Sequence, residues 1–359
     1  MKTLAKIFAG IIAISFLVTI LGKSKLNLET WDALDEQAQR LSDSGHYEQS
    51  VPISEKELEV ARKTLLPNDP QMVTCLNNIA LRYDSHGDVA RAEPLYVQAL
   101  AIARANPMVR AIEKATVMDN LAVLYRDQEA YDKGEPLFKE ALAIREKEQG
   151  TNHPEVADTL HNLGGLYAGK GDDAQAETMY VRALSIREYA LKAGDPALPN
   201  TLRSLGRLYD RQGDYAKAEP MLKRALKLHE GILKPTDTDL AFTMVSLASV
   251  YDHLEDYAQA ESLYKRAIGI QELAAGEETE LATALNNLGL VYQSEGKLAE
   301  AEQSLLRSIK VREKTQGSDN AELGTAFSNL AGIYHDMGRS SEAEKAQQRA
   351  DALSQQDAG

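Results

Sequence analysis

The chain repeats itself, and that repetition restricts what it can fold into more than any single residue does. Thr159 to Glu188 reads TLHNLGGLYAGKGDDAQAETMYVRALSIRE, and Thr201 to Glu230 reads TLRSLGRLYDRQGDYAKAEPMLKRALKLHE, 42 residues further on (201 − 159). The same period places an aliphatic residue at Ile79, Leu121, Leu163, Leu205, Leu247, Leu288 and Leu330, with one residue missing between Leu247 and Leu288. A period of roughly 20 to 50 residues is the signature of a solenoid or array, in which each copy buries its apolar face against the next.

Each copy divides into two helices. The residue after the aliphatic one is always small (Ala80, Ala122, Gly164, Gly206, Ala248, Gly289, Ala331), and the residue four after it is always Tyr (Tyr83, Tyr125, Tyr167, Tyr209, Tyr251, Tyr292, Tyr334), so one helical face is apolar. A turn follows, at Gly87-Asp88, Gly171-Asp172, Gly213-Asp214, Glu255-Asp256 and Gly296-Lys297. The second helix carries small residues seven apart, such as Ala92 and Ala99 or Ala218 and Ala225, with a large residue between them (Tyr96, Phe138, Tyr180, Leu222, Tyr264, Leu305). Small residues let helices approach closely, and the large one is expected to fill the space over the small residues of the next copy.

These residues resemble the tetratricopeptide repeat. The long period, the Asn-Asn pairs before the Leu and the loop from Gly150 to Ala157 are similar to the subtype found in kinesin light chains. Three features depart from the pattern. Leu or Met stands where helix A usually has Trp, the proline that closes a unit is missing, and no heptad coiled coil precedes the array, so the chain shares the module without being a kinesin subunit. The resemblance implies an all-α, right-handed superhelical solenoid of about eight stacked helix-turn-helix units over residues 28–355. The units fall near 28–70, 71–108, 109–154, 155–196, 197–238, 239–279, 280–320 and 321–355, and a polar tail fills 356–359.

Residues 1–27 are of another kind. Lys2 and Lys6 precede an uncharged apolar run from Ile7 to Gly22, and Lys23 and Lys25 close it. Sixteen residues (7–22) make about 24 Å of helix, a little short of a hydrocarbon core of roughly 30 Å. The segment reads as an uncleaved single-span anchor or as a cleaved export signal, which leaves the array membrane-anchored or exported. Cys75, the only cysteine, falls on the apolar face of a helix and reads as a core residue.

No catalytic or cofactor-binding constellation stands out. The seven histidines make no His-x-x-x-His pair, and there is no glycine-rich phosphate loop and no nucleophile elbow. His153 belongs to the Gly150–Ala157 loop and reads as structural. A formal charge of −14 argues against nucleic acid or an anionic lipid surface as the main partner of the array. The reading is therefore a non-enzymatic scaffold with no metal and no cofactor, touching a membrane only through residues 7–22.

The helix A positions free of packing are expected to line a concave groove. One before the Leu stand Asn78, Asn120, Asn162, Ser204, Ser246, Asn287 and Asn329, and two before stand Asn77, Asp119, His161, Arg203, Val245, Asn286 and Ser328. An Asn offers both donors and an acceptor, so a row of them suits the backbone of an extended peptide. The resemblance implies that role for Asn78, Asn120, Asn162, Asn287 and Asn329. The other reading, in which these asparagines only contact the neighbouring hairpin, stays open. Arg203, Arg207 and Arg211, with Arg126 two units earlier, form a basic stripe that either receives an acidic group or pairs with acids such as Asp210 and Asp252. The function expected is the holding of a partner's peptide segment in the groove. The alternative is a regulatory or assembly factor that grips a folded partner by its convex face or ends.

Overall fold

The computed structural model describes residues 31, 33–190, 194–274, 278–317 and 321–356, and the secondary structure of these is helical throughout. The apolar run 7–22 and the tail 357–359 lie outside the described residues. Among the described residues, no helix is long and apolar enough to cross a membrane.

The chain forms two compact units, one ending at Asp172 and the other beginning at Asp173. In the first unit, α1 (33–43) and α2 (Tyr47–Thr64) make the first hairpin, α3 (Pro70–Asp84) and α4 (Val89–Ala105) the second, and α5 (Ala111–Asp127) and α6 (Tyr131–Gln149) the third; α7 (Pro154–Lys170) closes the unit. The second unit opens with α8 (Asp173–Ala190) and continues with four hairpins: α9 (Ala197–Arg211) with α10 (Tyr215–Ile232), α11 (Thr238–His253) with α12 (Tyr257–Gln271), α13 (Glu278–Ser294) with α14 (Leu298–Gln316), and α15 (Ala321–Asp336) with α16 (Ser340–Gln356).

The turns explain the recurring Gly-Asp. Gly87, Gly213 and Gly296 take φ of 74°, 75° and 75°, the left-handed conformation that glycine adopts without steric penalty. Asp88 and Asp214, next after Gly87 and Gly213, and Asp256, next after Glu255, cap the following helix, each accepting from the backbone N–H three residues on. Where the glycine is replaced, at Glu129 and Glu255, the backbone keeps the same sign, with φ of 57° and 60°. The turn geometry is imposed by the hairpin and overrides the local cost.

The core follows the repeat. Tyr96, Phe138, Leu222, Tyr264 and Leu305 are buried, as are the alanines that flank them. Their placement corrects one expectation. Leu222 and Leu305 lie over Gly206 and Gly289 of their own hairpins, where a Cβ built on Gly206 would stand 2.6 Å from Leu222 Cγ. Gly134 meets both neighbours: a Cβ there would be 3.0 Å from Leu166 of the following hairpin and 3.5 Å from Tyr125 of its own. The small residues therefore close each hairpin first and admit the next one second.

The recurrence of Tyr from copy to copy has a cause besides apolar bulk. Tyr167 donates its hydroxyl to Glu135 at 3.1 Å, Tyr209 to Glu177 at 2.8 Å and Tyr292 to Glu261 at 3.4 Å. Each of these bonds joins helix A of one hairpin to helix B of the hairpin before it. Lysines complete the cluster: Lys139 and Lys170 hold the Glu135 carboxyl down at about 2, and Lys265 and Lys297 do the same for Glu261.

Candidate functional site

Within each unit the A helices of successive hairpins lie side by side, and asparagines bridge them. Asn120 Nδ2 donates to Asn77 Oδ1 at 3.0 Å in the first unit, and Asn329 Nδ2 donates to Asn286 Oδ1 at 3.0 Å in the second. Asn78 Nδ2 reaches Asp35 Oδ2 at 3.5 Å in the same way. All three pairs are 43 residues apart, one more than the period, so each side chain reaches back to the position one earlier in the repeat of the preceding hairpin. Asn162 accepts from Arg126 at 3.5 Å, and Asn287 accepts from Asn286 at 3.3 Å.

Burial divides these residues into two roles. Asn77 is only 9% exposed, and its place is under the row as the acceptor that orients Asn120. Asn78, Asn120, Asn162, Asn286, Asn287 and Asn329 are half-buried. A carboxamide has two N–H donors and a carbonyl with two lone pairs, so a single inter-helix bond fixes the amide plane while leaving hydrogen-bonding capacity on it. Asp119, expected beside them, is buried. It sits 2.9 Å from Arg145 and accepts from Thr159 at 2.9 Å, and burial pushes its carboxyl up to about 6 against the pull of Arg145.

The basic stripe is largely neutralised. Arg203 is half-buried, lies 2.7 Å from Asp239 Oδ1 and stands 5.7 Å above the Phe242 ring. Arg211 pairs with Asp173. Arg207 is exposed and makes no ion pair among the described residues. The acids that meet Arg203 and Arg211 come from adjacent hairpins, in line with the ion-pair reading, but they are Asp239 and Asp173 and not Asp210 or Asp252. Asp210 instead accepts from Ser249 at 3.0 Å and lies 2.9 Å from His253 Nδ1. In the first unit Arg126 pairs with Asp127 at 2.7 Å.

A second recurring polar position, on the B helices, is not apparent from the repeat pattern alone. Arg145, Arg187 and His229 stand 42 residues apart near the ends of B helices, and all three are buried. Arg145 donates to Thr159 at 3.2 Å, Arg187 donates to Thr201, and His229 Nδ1 lies 2.9 Å from Thr243 Oγ1. Thr201 and Thr243 in turn donate to the carbonyl four residues back in their own helices, while Thr159 gives its proton to Asp119. The signal was present in the sequence, since each partner Thr follows 14 residues later. Each such bond ties a buried B-helix end to the A helix that follows it.

Two smaller expectations resolve as structural. His153 accepts from the Glu155 N–H at 3.3 Å and caps α7. Cys75 is buried, its Sγ 3.8 Å from Glu57 Oε1, and burial pushes the thiol up to about 12. Glu57 lies against Arg82 in the same pocket of charge, and burial raises its carboxyl to about 8. Among the described residues, no group of three or more His, Cys, Asp or Glu could hold a metal ion.

The sequence pattern of the tetratricopeptide repeat matches at residues 34–105, 113–188, 194–272 and 280–356, two hairpins to each match. The chain belongs to the tetratricopeptide repeat family. No curated protein matches it. Among solved structures, a signal transduction ATPase with numerous domains and a tetratricopeptide repeat sensor, from Pyrococcus horikoshii, is similar with a TM-score of 0.65 and 19% identity. The match covers 88% of this chain and 46% of that one. BtubC (BKLC) from P. vanneervenii is similar with a TM-score of 0.51 and 24% identity, over 70% of this chain and 92% of that one. Kinesin-light-chain-type repeats from Podosopora anserina match at 21% identity and a TM-score of 0.49, over 56% of this chain and 95% of that one. These likenesses are to the fold. A tetratricopeptide repeat array is a scaffold typical of protein–protein interaction, and proteins built of it are generally non-enzymatic.

Proposed function

We propose that this tetratricopeptide repeat protein is a scaffold that holds an extended segment of a partner protein against its A helices, reading the backbone through Asn78, Asn120 and Asn162 in the first unit, with Asn287 and Asn329 offering the same kind of contact in the second. The supporting observation is the pair of equivalent bridges, Asn120 to Asn77 and Asn329 to Asn286, which fix half-buried amides in one repeated orientation. A preset amide loses little freedom when a ligand arrives, and preorganisation of that kind favours binding. Arg207, exposed between two paired arginines, adds a point charge for an acidic or C-terminal group. Residues 7–22 supply the tether, so the scaffold works at a membrane surface or is delivered across it.

The test is selection of unstructured peptides on the purified protein, followed by affinity measurement on variants. Asn120→Ala with Asn162→Ala is expected to weaken the selected peptides at least tenfold while the melting curve stays in place. Full retention of affinity in that variant points instead to a partner held by the convex face or the ends.

A further inference from the structure

The edge of the array where the chain enters carries an apolar pair with no counterpart deeper in the first unit. Leu66 and Met108 are 42 residues apart, in the loops that follow α2 and α4, and they are 75% and 78% exposed. The next equivalent position in this unit is Gly150. The two loops are tied side by side, since Asn106 Nδ2 donates to the Asn68 carbonyl. Arg62, exposed and without an ion pair among the described residues, and Lys63, paired with Glu59, precede Leu66 on the last turn of α2.

The register of the A helices says which way this edge faces. Asn78 meets Asp35 and Asn120 meets Asn77 with the same offset of 43 residues, so α1, α3 and α5 run parallel and in step. Their N-terminal ends therefore share one edge, which is also the edge of the loops bearing Leu66 and Met108. Trp31, immediately before α1, is 8% exposed and packs into the core cluster with Ala61 and Met72, so the chain is pinned at that edge. Only residues 23–30 separate it from the apolar run 7–22. Eight residues span at most about 29 Å when fully extended, so they would have to run nearly straight to bring the opposite edge, about a helix length or roughly 24 Å away, to the same surface.

We propose that the Leu66 and Met108 edge rests on the lipid bilayer that residues 7–22 enter, with both side chains in the interface and Arg62 and Lys63 at the headgroups. The inference relies on the tether reading above and extends the membrane contact beyond residues 7–22. A chain of net charge −14 is repelled by an anionic surface as a whole. Contact confined to one edge with an apolar pair and a basic turn is the arrangement compatible with that charge.

The only native cysteine, Cys75, is fully buried, so an introduced one can be labelled selectively. The full chain carrying an environment-sensitive fluorophore at Leu66→Cys, at Met108→Cys or, as the far-edge control, at Gln128→Cys is reconstituted into vesicles of phosphatidylcholine and phosphatidylglycerol with nitroxide-labelled lipid. Several-fold stronger quenching at 66 and 108 than at 128 is expected, and changing the other member of the pair to Glu should abolish it. Chain that floats with the vesicles but shows equal, weak quenching at all three sites overturns the docked edge and leaves the tether standing. Chain that does not float at all overturns the tether and the docked edge together.

Discussion

Asn120 gives one side-chain N–H to the carboxamide oxygen of Asn77, 43 residues earlier and 3.0 Å away. The bond spans two neighbouring A helices and turns the outer amide into a fixed feature of the stack. Asn77 is thus a positioning residue and Asn120 a candidate contact. The two make different predictions.

Asn77→Ala removes a buried acceptor and should lower stability by about 1 kcal/mol, with peptide affinity falling because Asn120 loses its orientation. Asn120→Ala should cost stability less, since Asn120 is half-buried and water can reach the site, yet reduce affinity more. Urea denaturation and peptide titration on the two variants separate the roles.

Tyr167→Phe deletes the hydroxyl that joins α7 to Glu135 on α6. Glu135 keeps Lys139 and Lys170, so the loss should fall at the low end of roughly 0.5–1.5 kcal/mol. Tyr189→Phe, at an exposed residue, is the control and should leave the melt unchanged in differential scanning calorimetry.

The two turns that lack glycine are places to gain stability. Glu129→Gly relieves a left-handed residue at φ 57°, and removing that penalty is worth about 1 kcal/mol. Gly87→Glu, at the equivalent turn, should lose a comparable amount. Paired melting curves check both signs.

Gly206→Ala places a methyl carbon 2.6 Å from Leu222 Cγ and should destabilise by about 1–3 kcal/mol. Trimming the partner with Leu222→Val in the same chain should make the two effects non-additive, because they share one contact. A double-mutant cycle in urea measures the coupling, and simple additivity would mean that the hairpins do not close as described.

His229 gives a pH dependence with a definite sign. It is buried beside Thr243, with Arg203, Asp239 and Asp237 near it, and burial first and Arg203 second lower its pKa. The unfolded chain then takes up a proton near the ordinary value of about 6.5 while the folded chain does not. The stability this group contributes is present in full above that pH and is lost as the pH falls through it. His229→Gln should remove this loss from the stability profile between about pH 7 and 5, leaving the opposite slope of the raised carboxyls Glu57 and Asp119.

How much of this was legible beforehand depends on where each side chain finds its partner. The helices, the turns and the packed residues follow from period and apolar spacing, because those features are decided within one hairpin. The inter-hairpin contacts are not. Asn77 and Asn120 look alike in the sequence, and only the offset of the A helices makes one buried and the other half-buried. Arg145, Arg187 and His229 resemble ordinary helix-end charges until Thr159, Thr201 and Thr243 are seen opposite them. Arg203 and Arg211 look like free cations because Asp239 and Asp173 are 36 and 38 residues away.

The central claim is that the asparagine row reads the backbone of an extended peptide, and chemical editing of the peptide tests it most directly. A selected peptide is titrated against the protein in two series, one with each side chain truncated to alanine and one with each backbone amide N-methylated. The account predicts that N-methylation at alternate or clustered amides abolishes binding, that most side-chain truncations leave it within a few-fold, and that Asn120→Ala with Asn162→Ala removes the sensitivity to N-methylation. Binding that tolerates every N-methyl group and depends only on side chains would contradict it.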